Sequence, residues 1–260
     1  MADLDLSNKK LFLFDLDGVF YKGKEKRVKL GGTRIVGELR KRGKKLFILT
    51  NNSTDSVEAI HSNLVELGIP VAKEEILTSG LLTAEYLLTR FGKVAYYLVG
   101  EEGLDMELRK LGHRPASRGR ADVVVVGLDR FVNYEKLNTA SKLAASGVPI
   151  IASHNSPVYM SREGPAIGAG PLVRAIEYGS GRRATVIGKP SPLMFRIALR
   201  KAGCSPEEAV MIGDQIDTDI RGAERVGIDS VLVLTGVDRD VSRTRALGTI
   251  ATVDKLVKYL

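Results

Sequence analysis

The chain has 260 residues, of which 44% are hydrophobic and 27% charged. That balance excludes a disordered or low-complexity chain and leaves room for one large or two smaller cores. The net charge of +8 suits anionic metabolites or nucleic acid, but there is no dense basic tract. Arg40-Lys41-Arg42-Gly43-Lys44-Lys45 reads as a solvated helix end, its cations complementing the dipole.

Cys204 is the lone cysteine, so no intramolecular disulfide forms and a reducing cytoplasm is the expected compartment. His61, His113 and His154 are scattered, which argues against structural zinc. Apolar runs such as Val123 to Val126 are too short to span a bilayer. Met1 to Asp5 has neither a basic start nor a long apolar core, so no secretory leader is expected.

Along the chain, strand and helix patterns alternate, which predicts an α/β fold with a parallel sheet. Leu11 to Phe14 is continuously apolar, as in a strand buried on both faces, and runs into Asp15-Leu16-Asp17-Gly18. A helix over 32–42 stops at Gly43, and a strand over Lys45 to Thr50 follows. Val57, Ile60, Leu64 and Leu67 recur at helical spacing before Gly68. Ile76 to Thr78 reads as a short strand.

Residues 81–183 carry a second α/β series, with strands at Ala95 to Val99, Val123 to Leu128 and Pro149 to Ser153. Helices are predicted near 101–111, 134–146 and 171–179. We read this series as an inserted domain, with 1–80 and 184–260 forming the other. The first series resumes with a strand at Ala184 to Ile187, ending at Gly188-Lys189-Pro190. Ser191-Pro192 starts a helix and Gly203 stops it. Ala209 to Ile212 is a strand leading into Gly213-Asp214-Gln215-Ile216-Asp217-Thr218-Asp219, then a helix to Val226 and a strand at Val231 to Leu234.

Four predicted strand ends therefore carry polar groups: Asp15 and Asp17, Thr50 and Asn51, Lys189, and Asp214 with Asp219. Carboxyl ends of parallel strands share one edge, where such sheets bind ligands. Around a phosphate, Asp15 is suited to attack phosphorus and Asp17 to exchange protons with the leaving oxygen and with water. Thr50 and the Asn51 amide would hold phosphoryl oxygens, and Lys189 would neutralise charge. Two like charges ~4 Å apart repel by roughly 4 kcal/mol at an effective dielectric of ~20, so one lysine cannot balance a phosphate dianion beside several carboxylates. Magnesium can, held by the Asp15 carboxylate, the Asp17 carbonyl and the Asp214 carboxylate, with Asp219 orienting Lys189 or a metal water. Taken singly, each block also reads as ordinary turn and cap chemistry.

Together the blocks Asp15-Leu16-Asp17-Gly18-Val19, Leu49-Thr50-Asn51-Asn52-Ser53, Gly188-Lys189-Pro190-Ser191-Pro192 and Gly213-Asp214-Gln215-Ile216-Asp217-Thr218-Asp219-Ile220 resemble the haloacid dehalogenase superfamily. The likeness is to its branch of p-nitrophenyl-phosphatases, phosphoglycolate phosphatase-like enzymes and nucleotide or sugar-phosphate phosphatases. It implies a Rossmann-like core with an inserted α/β cap that selects the substrate. It also implies a magnesium-dependent phosphomonoesterase, often a homodimer. The expected partner is a small phosphorylated metabolite, with no nucleic acid and no membrane.

Many members carry Thr-Asn-x-Asp in the cap where this chain reads Ser153-His154-Asn155-Ser156. His154 and Asn155 are therefore candidate substrate contacts, although His154 also reads as a packing or capping residue. Two other functions share these residues: phosphoryl transfer to an acceptor other than water, and phosphate or nucleic-acid binding without catalysis.

Overall fold

The computed structural model describes residues 4–23, 27–116, 120–161, 164–238, 240 and 244–260. In chain order the elements are β1 (Leu11–Phe14), β2 (Tyr21–Lys22), β3 (Val28–Lys29), α1 (Thr33–Lys41), β4 (Lys45–Thr50), α2 (Val57–Glu66), β5 (Ile76–Thr78), α3 (Ser79–Phe91), β6 (Ala95–Val99), α4 (Glu102–Lys110), β7 (Arg114–Pro115) and β8 (Val123–Val126). There follow α5 (Tyr134–Ala145), β9 (Ile150–Ala152), β10 (Val158–Ser161), β11 (Gly164–Ile167), α6 (Ala169–Ser180), β12 (Thr185–Val186), α7 (Pro192–Ala202), β13 (Ala209–Gly213), a π-helical turn (Ile216–Ile220), α8 (Arg221–Glu224), β14 (Asp229–Val233) and β15 (Gly248–Ile250). A 3-10 helix over Val253–Tyr259 closes the chain.

The chain divides into two compact units. The first comprises Met1–Thr50, Glu58–Leu77 and Lys189–Leu260. It is built on a six-stranded sheet in the order β15-β14-β13-β1-β4-β5. β1 pairs in parallel with both β13 and β4, and β14 joins β13 to β15 in the same sense. Leu11 to Phe14 are fully buried, as the unbroken apolar run requires of a strand covered on both faces. The rings of Phe14 and Phe20 meet at 5.3 Å between centroids. Ser191 caps α7 through Leu193 N, and Gly203 ends it in the left-handed conformation.

The second unit comprises Asn51–Val57 and Thr78–Gly188. Its five-stranded sheet runs β12-β9-β8-β6-β7, parallel in each pair, with a separate antiparallel hairpin of β10 and β11. Val123 to Val126 form its buried centre, and α5 and α6 cover it through Ala140, Ala144, Val173 and Ile176. Asn133 caps α5 through Lys136 N at 2.9 Å.

One expectation is corrected. The strand predicted at Ala184 to Ile187 does not rejoin the first series. It is the short β12, paired with β9 in the second sheet, and Val186 packs against that unit's core. Two paired residues carry too little pattern to specify which sheet they join. The helix predicted after Asp219 is the short α8, Arg221–Glu224, and a π turn over Ile216–Ile220 precedes it. Among the described residues, no helix is long and apolar enough to cross a membrane.

Candidate active site

Phe14 lies in register with Ile48 of β4 and Ile212 of β13, and Asp15 N donates to Ile212 O at 2.9 Å. Asp15 is thus the first residue beyond β1. Thr50 closes β4, and Asp214 follows directly on β13. Three adjacent central strands end in these residues on one edge of the sheet, the ligand-binding edge of open parallel sheets.

Lys189 opens the segment leading to α7; its peptide bond to Pro190 is cis. Its side chain is 2% exposed, and Nζ lies 2.7 Å from both Asp15 Oδ1 and Asp219 Oδ1. Burial alone would lower the lysine pKa, but Asp15 and Asp219 raise it above the ordinary value. Lys189 is therefore a fixed cation at neutral pH. Asp219, fully buried in the π turn, also accepts Gln215 N through Oδ2 at 3.1 Å. Both of its oxygens are engaged within the protein.

Asp214 differs. Its Oδ2 accepts Val237 N at 2.8 Å, while Oδ1 is buried with no hydrogen-bond partner among the described residues. Carboxylate oxygens of Asp15, Asp214 and Asp219 come within 4.8 Å of one another. Burial, then the charges of Asp15 and Asp219, push the Asp214 carboxyl up to about 9. Burial likewise raises Asp219, against the pull of Lys189. Three clustered carboxyl groups facing one ammonium resist ionising together, which is what these upward shifts express; a bound cation would let them ionise. A hard divalent cation fits: the donors are oxygens, and one of them is buried and unspent.

Asp17 lies in the turn after β1 and is exposed. Thr50 is buried at 2% exposure. Asn51, His154 and Asn155 belong to the second unit. There Asn51 Nδ2 donates to Ser156 Oγ at 3.3 Å, and the same hydroxyl lies 3.2 Å from His154 Nδ1. His154 is buried and Asn155 partly exposed. Asn52 Oδ1 accepts the amides of Thr54 and Asp55, each at 2.9 Å, fixing the loop before α2.

The sequence reading missed the loop after β14. Thr235 Oγ1 donates to Gly18 O at 2.5 Å, Val237 N holds Asp214, and Asp238 N donates to Asp214 O at 3.1 Å. Gly18, at φ +81°, and Gly236 both pack against the Asp214 carboxylate, where a Cβ has no room. The available signal was a Thr-Gly pair just past a buried strand on the same sheet edge.

Residues 12–114 match the haloacid dehalogenase-like hydrolase family, and residues 186–258 match a HAD-hydrolase-like family. An acid sugar phosphatase of Staphylococcus saprophyticus is 33% identical over 232 residues, 89% of each chain. The chain belongs to the haloacid dehalogenase-like hydrolases. A relative named 5'-nucleotidase YutF, from Bacillus subtilis, is 31% identical over 88% of this chain and 89% of its own.

Among solved haloacid dehalogenase-like structures, the 4-nitrophenylphosphatase of Thermotoga maritima superposes with a TM-score of 0.90 at 32% identity, covering 97% of this chain and 98% of its own. The p-nitrophenyl phosphatase of Archaeoglobus fulgidus gives 0.91 at 30% identity, covering 97% and 99%. The chain is a haloacid dehalogenase-type phosphatase of the capped branch.

Proposed function

We propose that this phosphatase hydrolyses a small-molecule phosphomonoester with magnesium bound, through a phosphorylated Asp15. The observation that carries the reading is the position of Lys189. Its ammonium contacts Asp15 and Asp219 at 2.7 Å, in a carboxylate cluster where Asp214 keeps an unspent buried oxygen.

Asp15 supplies the nucleophile. One of its carboxylate oxygens attacks phosphorus, and the bond from phosphorus to the ester oxygen breaks. Asp17, exposed next to the strand end, gives its proton to the leaving alkoxide. It then takes a proton from the water that attacks the phosphoryl group, and the bond from Asp15 to phosphorus breaks. Both aspartates return to their starting forms.

Lys189 stays protonated throughout, so it screens charge on the phosphoryl group and is not the base. Thr50 and the Asn51 amide hold phosphoryl oxygens. Asp219 keeps Lys189 in place. Magnesium, held by the Asp15 carboxylate, the Asp17 carbonyl and the Asp214 carboxylate, would supply the positive charge that a dianion needs beside these carboxylates.

The second unit, expected over 81–183 and spanning Asn51–Val57 with Thr78–Gly188, acts as the substrate-selecting cap, with His154 and Asn155 as specificity residues. The names of the relatives support small sugar phosphates, nucleoside monophosphates or aryl phosphates as the class. The reaction runs in the cytoplasm, where the free Cys204 stays reduced.

Phosphate release from a panel of such esters tests the proposal. Turnover in magnesium, its loss in EDTA and its absence in Asp15→Asn are expected. Full activity of the metal-stripped enzyme or of that variant would contradict it.

A further inference from the structure

Asp214 can serve a cation only if its free oxygen faces the ion, so what fixes the rest of the residue matters. Two contacts come from one neighbour. Asp238 N donates to the Asp214 carbonyl at 3.1 Å, and Asp238 Oδ2 accepts the Ile216 amide at 2.7 Å. Ile216 begins the π turn that carries Asp219. Amides in the first turn of a helix lack partners within it, and Ile216 is 5% exposed, so Asp238 meets a need that water there meets poorly.

Asp238 thus grips Asp214–Ile216 at both ends. Its neighbour Val237 gives the amide that occupies Asp214 Oδ2. The loop also reaches back to the turn after β1 through Thr235 and Gly18. Asp238 is not among the clustered carboxylates.

We propose that Asp238 is a positioning residue of the cation site. Its side-chain bond to Ile216 locks the 235–238 loop onto the Asp214–Ile216 segment, and this lock keeps Asp214 Oδ1 turned toward the ion. The inference rests on the reading of Asp214 as a metal ligand. Truncating Asp238 leaves the Ile216 amide unpaired and unties the loop, so the Val237 bond to Oδ2 loosens and the Asp214 carboxylate can rotate. The effect is geometric. An asparagine offers an acceptor oxygen at the same place without charge, so it should restore the lock.

The test is calorimetric titration of the full chain with magnesium, without substrate, using wild type, D238A, D238N and D238E. Loss of a group that orients a metal ligand typically costs roughly 10- to 100-fold in affinity, and D238A should fall in that range. D238N should bind nearly as wild type does. D238E, with its carboxylate one methylene too far out, should bind weakly despite keeping its charge. If D238A does not fold, the contrast between D238N and D238E decides. A purely structural role would lower the melting temperature in EDTA and leave the titrations equal. D238A binding as tightly as wild type, or D238N binding as weakly as D238E, overturns the proposal. If wild type itself binds no magnesium, the cation reading fails with it, a result distinct from a failure confined to the Asp238 variants.

Discussion

Gly236 lies so close to Asp214 that a Cβ on residue 236 would overlap the carboxylate's Oδ2. The glycine is a condition for Asp214 to sit where it does, with one oxygen on Val237 N and the other free. Gly236→Ala should therefore push Asp214 aside. We expect magnesium affinity to fall at least about tenfold, as when a ligand's support is lost. Titration of the folded variant checks this, and wild-type affinity would refute it.

Lys189 is buried between two carboxylates. Replacing it with methionine keeps much of the volume but strands Asp15 and Asp219 without their cation. Removing one partner from such a buried ionic group costs about 3–5 kcal/mol. Lys189→Met should lower unfolding stability by that order in EDTA, regain part of it in magnesium, and lose turnover in both. Urea denaturation with and without metal measures it; unchanged stability in EDTA would show that Lys189 does not hold the cluster together.

Glu177 gives a pH dependence of known sign. Burial opposes its ionisation. The Ala184 amide at 2.8 Å and the guanidinium of Arg174 at 2.6 Å outweigh that and hold its pKa below the ordinary 4.5. A depressed folded pKa means stability that is fully present above the unfolded value and is lost as pH falls through the folded one. Both Arg174 and Arg183 are well exposed, so screening keeps the gain to about 1 kcal/mol or less. Glu177→Gln should be less stable than wild type at pH 7, and the gap should close below pH 4.5. Melting curves across that range decide; a gap that persists at low pH would point to packing instead of charge.

His154 and Asn51 share the Ser156 hydroxyl. Ser156→Ala removes that link without touching the carboxylate cluster. It should change the ranking of substrates by kcat/KM while magnesium affinity stays at its wild-type value. An unchanged ranking across sugar, nucleotide and aryl phosphates would separate this loop from substrate choice.

The parts of the site legible in the sequence are those where chemistry sits in side chains at strand ends. Asp15, Asp214 and Asp219 are such residues, each beyond a buried strand whose apolar run marks it, so the element order places them in candidate positions. Lys189 instead follows β12 of the second sheet, so its place beside Asp15 does not come from a shared sheet edge. The loop after β14 escaped because its work is done largely by backbone. Val237 N and Asp238 N hold Asp214, and a main-chain donor leaves no mark in residue type. Gly236 matters for what it lacks, which reads in sequence as an ordinary turn. The short β12 was placed in the wrong sheet because strand pairing is a long-range choice. Its pairing with β9 and the packing of Val186 on the second core place it there.

The claim at the centre is that Asp15 takes up the phosphoryl group. Mass spectrometry of enzyme acid-quenched during turnover with excess aryl phosphate tests it most directly. A single phosphoryl adduct on the peptide containing Asp15, absent from Asp15→Asn, is the predicted result. Rapid turnover with the adduct on another residue, or turnover by Asp15→Asn at the wild-type rate, would contradict it.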